Sequence, residues 1–346
     1  MSSSPSQFPL FPLAVIGRGA VSPAGEGVAG LLSVDPIPET ELASLRAPET
    51  RRYPVLRVDP KLPALKKWSM EARLRRASPV ALYLVEAATQ ALAGWDRPAS
   101  ARLGLVGAFF CGCPAYSRRF LEQTIRHGQA VASPALFPET VYNSPLSHAA
   151  SILGIDGAAY AIVGDDSAWV EAIRVAATWL ALDEVDAVVV VAAEELDIIS
   201  VEAYAAARWL RPANAFRPSE GGAAILLRRP ERDDVSRIEA LSPGRSYRNP
   251  AGARRGAREC LEEFFPELPV FPTVGHSWLE PVARGTAGAR VGAFDASYLG
   301  EAFPATAGWN TLRALSPAAQ PPVGNAWVVP VWGQNEQISA LKVTRS

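Results

Sequence analysis

Cysteine and histidine are scarce in this chain, three of each in 346 residues. Cys111, Cys113 and Cys260 are too few for a disulfide framework. The Cys-x-Cys pair also lacks the second close pair that a structural zinc site needs, so no metal is expected. The thiols read instead as small buried hydrophobes or as neighbours lining a pocket. Charge of one sign is not in excess either: 34 Lys and Arg face 35 Asp and Glu, which leaves no global field to draw nucleic acid or a membrane surface. No apolar run reaches the length of a membrane span. The opening "MSSSPSQFPLFPLAVIG" has no basic region, and Pro9 and Pro12 interrupt its apolar stretch, so it does not read as a signal peptide. A cytoplasmic setting is the expectation, with residues 1–12 disordered.

Apolar residues make up 49% of the chain, enough for a large α/β unit with a sizeable core. "LAVIG" (13–17) reads as a buried strand followed by a Gly-rich turn, and residues 34–78 as a surface excursion rich in Pro and charge. Ser78 and Pro79 open a helix in "SPVALYLVEAATQALAGW", with Ser78 as its cap. "RLGLVGAFF" is a strand, and helices are expected around 115–127 and in "SPLSHAASILGI". "DAVVVVAAEE" (186–195) is apolar on both faces, as a central strand covered by helices should be. Strands follow at 221–229 and 236–242. The later part alternates more sparsely: helix 252–265, strand 268–273, helices near 280–290 and 304–315, and strands near 326–331 and 337–344. There is no short-period repeat and no flexible linker.

One stretch carries a chemical question. In "YAIVGDDSAWVEAIRVAATWL" (160–180) a strand runs through a Gly turn straight into an amphipathic helix. Such an elbow can mount a nucleophile above a sheet. Here it carries Asp165, Asp166 and then Ser167. Two acids at that place also suit a helix N-terminus, where carboxylates satisfy free N–H groups and complement the dipole.

The order of segments resembles the β-ketoacyl synthases of the thiolase superfamily. The resemblance rests on "LAVIGRGAVSPAGEG", on "ALFPETVYNSPLSHAASILGIDGAAYAIVGDDSAWVEAIRVAATWLALDEVDAVVVVAAEE", and on "FRPSEGGAAILL". It implies a thiolase-like αβαβα five-layer sandwich of two related halves, taken as 13–235 and a shortened 236–346. In the family a Cys at the elbow accepts the acyl group and two His residues assist decarboxylative condensation. The match puts Asp166 at the Cys position, framed by Gly157, Asp186 and Glu194. It puts His276, in "VFPTVGHSWLEP", at the first His position and Glu301, in "YLGEAFPATAGWNTLRAL", at the second; an alternative register places His276 at the second. The Lys that usually precedes this last segment is absent. "VPVWGQNEQISALKV" resembles the terminal gating loop, with Pro330, Val331 and Trp332 where the family has Gly, Phe and Gly, and with Gly333 and Asn335 kept.

These substitutions oppose condensation. An Asp carboxylate would form a mixed anhydride, uphill from the thioester that a thiolate forms. Enolate formation needs donors, and a carboxylate reverses the sign of the stabilisation. The resemblance therefore points to a non-condensing subunit of the chain-length-factor type, paired with an active ketosynthase, without a cofactor, and with an acyl carrier protein as a further partner. Two alternatives stay open. One is a free-standing thioester hydrolase or decarboxylase using His276 with Asp166, Ser167 or Glu301; the other is a homodimeric acyl-binding scaffold. The basic stretch 51–76, including Lys66, Lys67, Arg73, Arg75 and Arg76, reads as a solvated face or a carrier-protein docking patch. His148 reads as a satisfied core or interface group, and His127 as a surface residue near a helix end.

Overall fold

The computed structural model describes residues 12–33, 35–210, 216–273, 299–319, 321, 324–333 and 336–345. Residues 1–11, a helix expected near 280–290, His276 and Asn335 lie outside them. The first half holds β1 (Leu13–Ser22), β2 (Gly25–Glu26), α1 (Gly27–Gly30), the hairpin β3 (Glu39–Ala43) and β4 (Arg52–Leu56), and α2 (Pro63–Met70). Then come α3 (Pro79–Leu92), β5 (Leu103–Phe109), α4 (Pro114–His127), α5 (Ser144–Leu153), β6 (Ala159–Val163), α6 (Ser167–Ala181), β7 (Ala187–Glu194), α7 (Ile198–Ala206) and β8 (Gly221–Arg228). The remainder has β9 (Ser236–Leu241), β10 (Arg245–Ser246), α8 (Pro250–Arg258), α9 (Pro304–Ala314), β11 (Ala326–Trp332) and β12 (Gln337–Arg345).

One sheet runs through the described residues in the order β10-β12-β9-β1-β8-β7-β5-β6, with β11 paired to β12. β7 pairs in parallel with β5 and antiparallel with β8, and every one of its residues is buried, as its unbroken apolar run requires. Three apolar clusters sort the layers. α3 and α5 pack on one face of β5, β7 and β8. α6 and α9 fill the space between the opposite face of those strands and β9, β11 and β12. α8 covers the outer face of β11 and β12. This gives the five alternating layers of the expected fold, with the sheet curling where β1 meets both β8 and β9.

Several local readings need correction. The first strand does not stop at residue 17 but continues to Ser22, because Gly17 and Gly19 are packing residues rather than a turn. A Cβ at either would stand 1.8 or 2.0 Å from the carbonyl oxygens of Ala91 and Ala87 in α3. The segment 34–78 is not a surface excursion, since Tyr53, Val55, Leu56, Val58, Leu65 and Trp68 are buried. The strand expected at 268–273 is a single bridge from Val270 to Val328. Helix 252–265 is α8 followed by one π turn over Glu259–Glu263.

Ser78 stands at the N-cap of α3 as expected, but its side chain makes no cap bond there. Its hydroxyl donates to Glu195, and Glu195 itself accepts from Val80 N at 2.9 Å and from Ala115 N at 3.0 Å. A single buried carboxylate thus satisfies the first turns of two helices, α3 and α4, each of which begins with Pro. Removing it strands two amide donors. Glu195→Ala is expected to lower unfolding free energy by about 2–4 kcal/mol, and Glu195→Gln by less, in urea denaturation.

Candidate functional site

The elbow stands where β5, β6 and β7 end. β6 is an end strand that pairs only with β5 among the described residues, and Gly164 N extends that ladder to Phe109 O at 2.9 Å. The chain then turns into α6, whose Trp169, Ile173, Ala176 and Leu180 face inward. The Trp169 indole donates to Thr311 Oγ1 at 3.0 Å, which ties the start of α6 to α9.

The two acids do different work. Asp165 Oδ1 accepts from Ser167 N at 3.1 Å, so Asp165 supplies the side-chain cap. Asp166 makes no side-chain cap bond, contrary to the expectation that both acids cap. Its backbone is already helical, with φ −48° and ψ −34°, so its side chain cannot fold back onto the first turn. Both are buried, 2% and 3% exposed, which leaves the two elbow carboxylates out of bulk water. Ser167 is buried too, and its Oγ has no hydrogen-bond partner among the described residues. Among the described residues no base is therefore in place to activate it.

Gly333 closes over this elbow. A Cβ at that position would come within 2.1 Å of Asp165 Oδ2. Tyr247 donates its hydroxyl to Gly333 O at 3.2 Å, and Gly333 N donates to Gln337 O at 2.7 Å. Of the other expected gating positions, Val331 and Trp332 are the last residues of β11, buried on opposite faces of the sheet. Gly333 alone of the three reaches the acids.

Glu301 is fully buried. Its backbone bonds on both sides to the 217–219 segment, with Glu301 N to Arg217 O and Ser219 N to Glu301 O, each 2.8 Å. Its Oε1 accepts from Phe303 N at 2.6 Å. Glu301 thus serves its own chain as an acceptor.

A third acid belongs to this site and was used in sequence only to fix the match. Glu194, at the end of β7, accepts from Phe110 N and, at 3.0 Å, from Cys111 N. Burial pushes its carboxyl up to about 8, the two amides oppose that rise, and the negative charges of Glu195 and Asp166 add to it. Glu195 is pushed to about 7, also chiefly by burial. Cys111 Sγ lies 2.9 Å from the Tyr204 hydroxyl, and burial holds its thiol up at about 12. Cys111 is therefore not an ionised replacement nucleophile. The sequence signal for these acids was two Glu residues closing an otherwise apolar strand.

Away from the elbow, His148 pairs with Glu139 at 3.0 Å, and His127 is exposed at the end of α4. Lys66, Lys67, Arg73, Arg75 and Arg76 are all exposed around α2 and the turn that follows it. Lys67 Nζ sits 4.4 Å over the Trp68 ring, and Arg73 donates to Ser151 O at 3.0 Å. Arg57, in the same basic stretch, is instead drawn inward by Glu220 at 3.0 Å. Among the described residues no group of three or more acids, His or Cys could hold a metal ion, and no helix is long and apolar enough to cross a membrane.

Residues 49–232 match the family model described as β-ketoacyl synthase, N-terminal domain. No curated protein matches at a significant level. The fold is similar to that of the ishigamide ketosynthase/chain length factor, with TM-score 0.80, 14% identity, and coverage of 96% of this chain and 99% of that one. It is also similar to a ketosynthase in complex with its chain length factor from Xenorhabdus doucetiae, with TM-score 0.74, 15% identity and 100% of both chains covered. A third likeness is to a type II polyketide synthase acyl-carrier protein in complex with its ketosynthase, with TM-score 0.75, 15% identity, and coverage of 97% and 100%.

The raised carboxyls have a sign-definite consequence. Glu194 and Glu195 bind protons in the folded chain at pH values where they have lost them in the unfolded chain, whose ordinary value is 4.5. The stability they contribute is complete below that value and is lost as pH rises through about 7 and 8. The melting temperature is expected to fall between pH 5 and pH 8.5, and Glu194→Gln to flatten that fall, as read by differential scanning calorimetry.

Proposed function

This chain belongs to the β-ketoacyl synthase family, and from that premise we propose that it is a non-condensing subunit of the chain-length-factor type that works beside an active ketosynthase. The observation that carries the reading is the sign of the charge at the reacting positions. Asp166 stands at the elbow and Glu301 at the second His position, both buried. An enolate forming about 4 Å from one such charge, at an effective dielectric of about 20, would be opposed by roughly 4 kcal/mol. That is about a thousandfold in rate. A carboxylate is also the wrong acyl acceptor for thioester exchange.

The exposed edge of the sheet supports a paired assembly. Among the described residues β6 leaves one side of its backbone unpaired, and Tyr160 and Val163 on it are 55% and 53% exposed. An open apolar edge of this kind is a template for another chain. In this reading the ketosynthase supplies the strand that pairs with β6, and the two related halves of this chain, 13–235 and 236–346, form one unit beside it. The reading is tested by co-expression with a ketosynthase encoded nearby. The pair should co-purify, and Tyr160→Asp with Val163→Asp should separate them while leaving the far-ultraviolet circular dichroism unchanged. A wild-type chain that never co-purifies, and whose deletion leaves product length unaltered, would sink the proposal.

The exposed cations around α2 fit an acidic carrier protein, which would bring the growing acyl chain to the pair. Charge reversal at Lys66, Lys67 and Arg75 together is expected to weaken carrier-protein binding by about tenfold and to reduce its salt dependence. Titration calorimetry at two ionic strengths reads both effects, and an unchanged affinity would remove the docking role.

A further inference from the structure

Five aromatic rings meet beside the elbow, and Phe303 is their hub. Its ring centroid lies 4.3 Å from that of Phe110, 5.3 Å from Tyr204, 6.0 Å from Trp209 and 6.1 Å from Phe216. Phe303 is 1% exposed, so the cluster is filled rather than open. The backbone beneath this hub is unusual. Phe303 has φ +51° and ψ −118°, close to the first central position of a type II′ turn, and Ala305 N closes that turn onto Ala302 O at 3.1 Å. Glycine is the residue that fits such a position, and a bulky side chain there is an outlier under strain. Strain of this kind persists only where the surroundings hold it.

Two buried acids do the holding. Glu301 accepts the Phe303 amide, and Glu194 accepts the amides of Phe110 and Cys111. Glu194 borders the elbow, since the charge of Asp166 acts on its carboxyl, and the family resemblance assigns Glu301 to the same site. The apolar volume next to the reacting position is thus occupied by side chains that the site's own carboxylates fasten in place. We propose that Phe303 is a stopper that excludes apolar acyl chains from this space, and that Glu301 is the positioning residue that latches it. The acid at the second His position would then have a task of its own, to keep the chain's interior closed so that an acyl group extends elsewhere in the assembly. That last meaning rests on the chain-length-factor reading. The closed compartment does not, and the lone protein suffices to test it.

The probe is dansylaminoundecanoic acid, a fluorescent eleven-carbon fatty acid, titrated into the full chain. Wild type should show no saturable binding, whereas Phe303→Ala should bind one equivalent, at least about tenfold more tightly than wild type. Glu301→Ala should bind in the same way but more weakly. Glu301→Gln should behave as wild type, because its amide oxygen still accepts from Phe303 N, and this rescue separates latching from charge. Strain has its own readout: Phe303→Gly should melt at a higher temperature than Phe303→Ala, the reverse of the usual order. Should Phe303→Ala fail to fold, Trp209→Ala, which removes a partly buried ring of the same cluster, replaces it in the titration. Wild type binding as tightly as these variants, absence of binding in all of them, or Gly melting below Ala would overturn the proposal.

Discussion

The carboxyl end of β7 carries two adjacent buried glutamates, and the arrangement of the site depends on how those charges are satisfied. A buried carboxylate is costly unless donors surround it. Glu195 meets that condition with a hydroxyl and the first-turn amides of α3 and α4. Glu194 meets it with the two amides where β5 turns toward α4, and through the rise of its own carboxyl toward the neutral form. Both anchors pull neighbouring chain toward the end of the central strand. The starts of α3 and α4 and the β5 turn are therefore positioned by side chains at the carboxyl end of β7, a fully buried strand.

The shape of the elbow does not depend on a cap from the side chain at 166. Its shape comes from the Gly164 turn at the end of β6, from Trp169 bound to Thr311 of α9, and from Asp165 capping α6 against Gly333. None of those contacts uses the side chain at 166. The residue there can change from thiol to carboxylate while the strand, turn and helix keep their geometry. What does change is the local field, because the charge of Asp166 adds to the rise of the Glu194 carboxyl. Such a field favours protons and disfavours enolates.

Much of the fold was legible in the sequence because long, strongly patterned segments follow local rules. β7, α3, α6 and the β11–β12 hairpin were read close to their observed bounds, since their apolar patterning alone selects strand or helix. The misreadings share one physical origin, partners distant along the chain. Ser78 looked like a side-chain cap because nothing local shows that Glu195, 117 residues away, holds that helix. Gly17 and Gly19 looked like a turn because the helix pressing on them begins some sixty residues later. The 34–78 segment hides buried Tyr53, Val55 and Trp68 among prolines and charges, with no regular period to reveal them. In the site, the resemblance singled out Asp166 and Glu301 as expectations, whereas the contacts of Glu194 and Phe303 depend on partners that residue spacing does not encode.

The division of labour between the two elbow acids gives the last step. Asp165 has a task in the fold: it caps α6 and fits against Gly333 so closely that no side chain could be added there. Asp166 makes no such cap bond, since its backbone is already helical. A buried residue with no capping role is expected to drift toward an apolar replacement unless its charge serves something, because apolar side chains are easier to bury. The same reasoning applied to Glu301 finds a role, the bond to Phe303 N, and applied to Glu194 finds two amides. Asp166 acts on the interior field, because its negative charge adds to the rise of the Glu194 carboxyl.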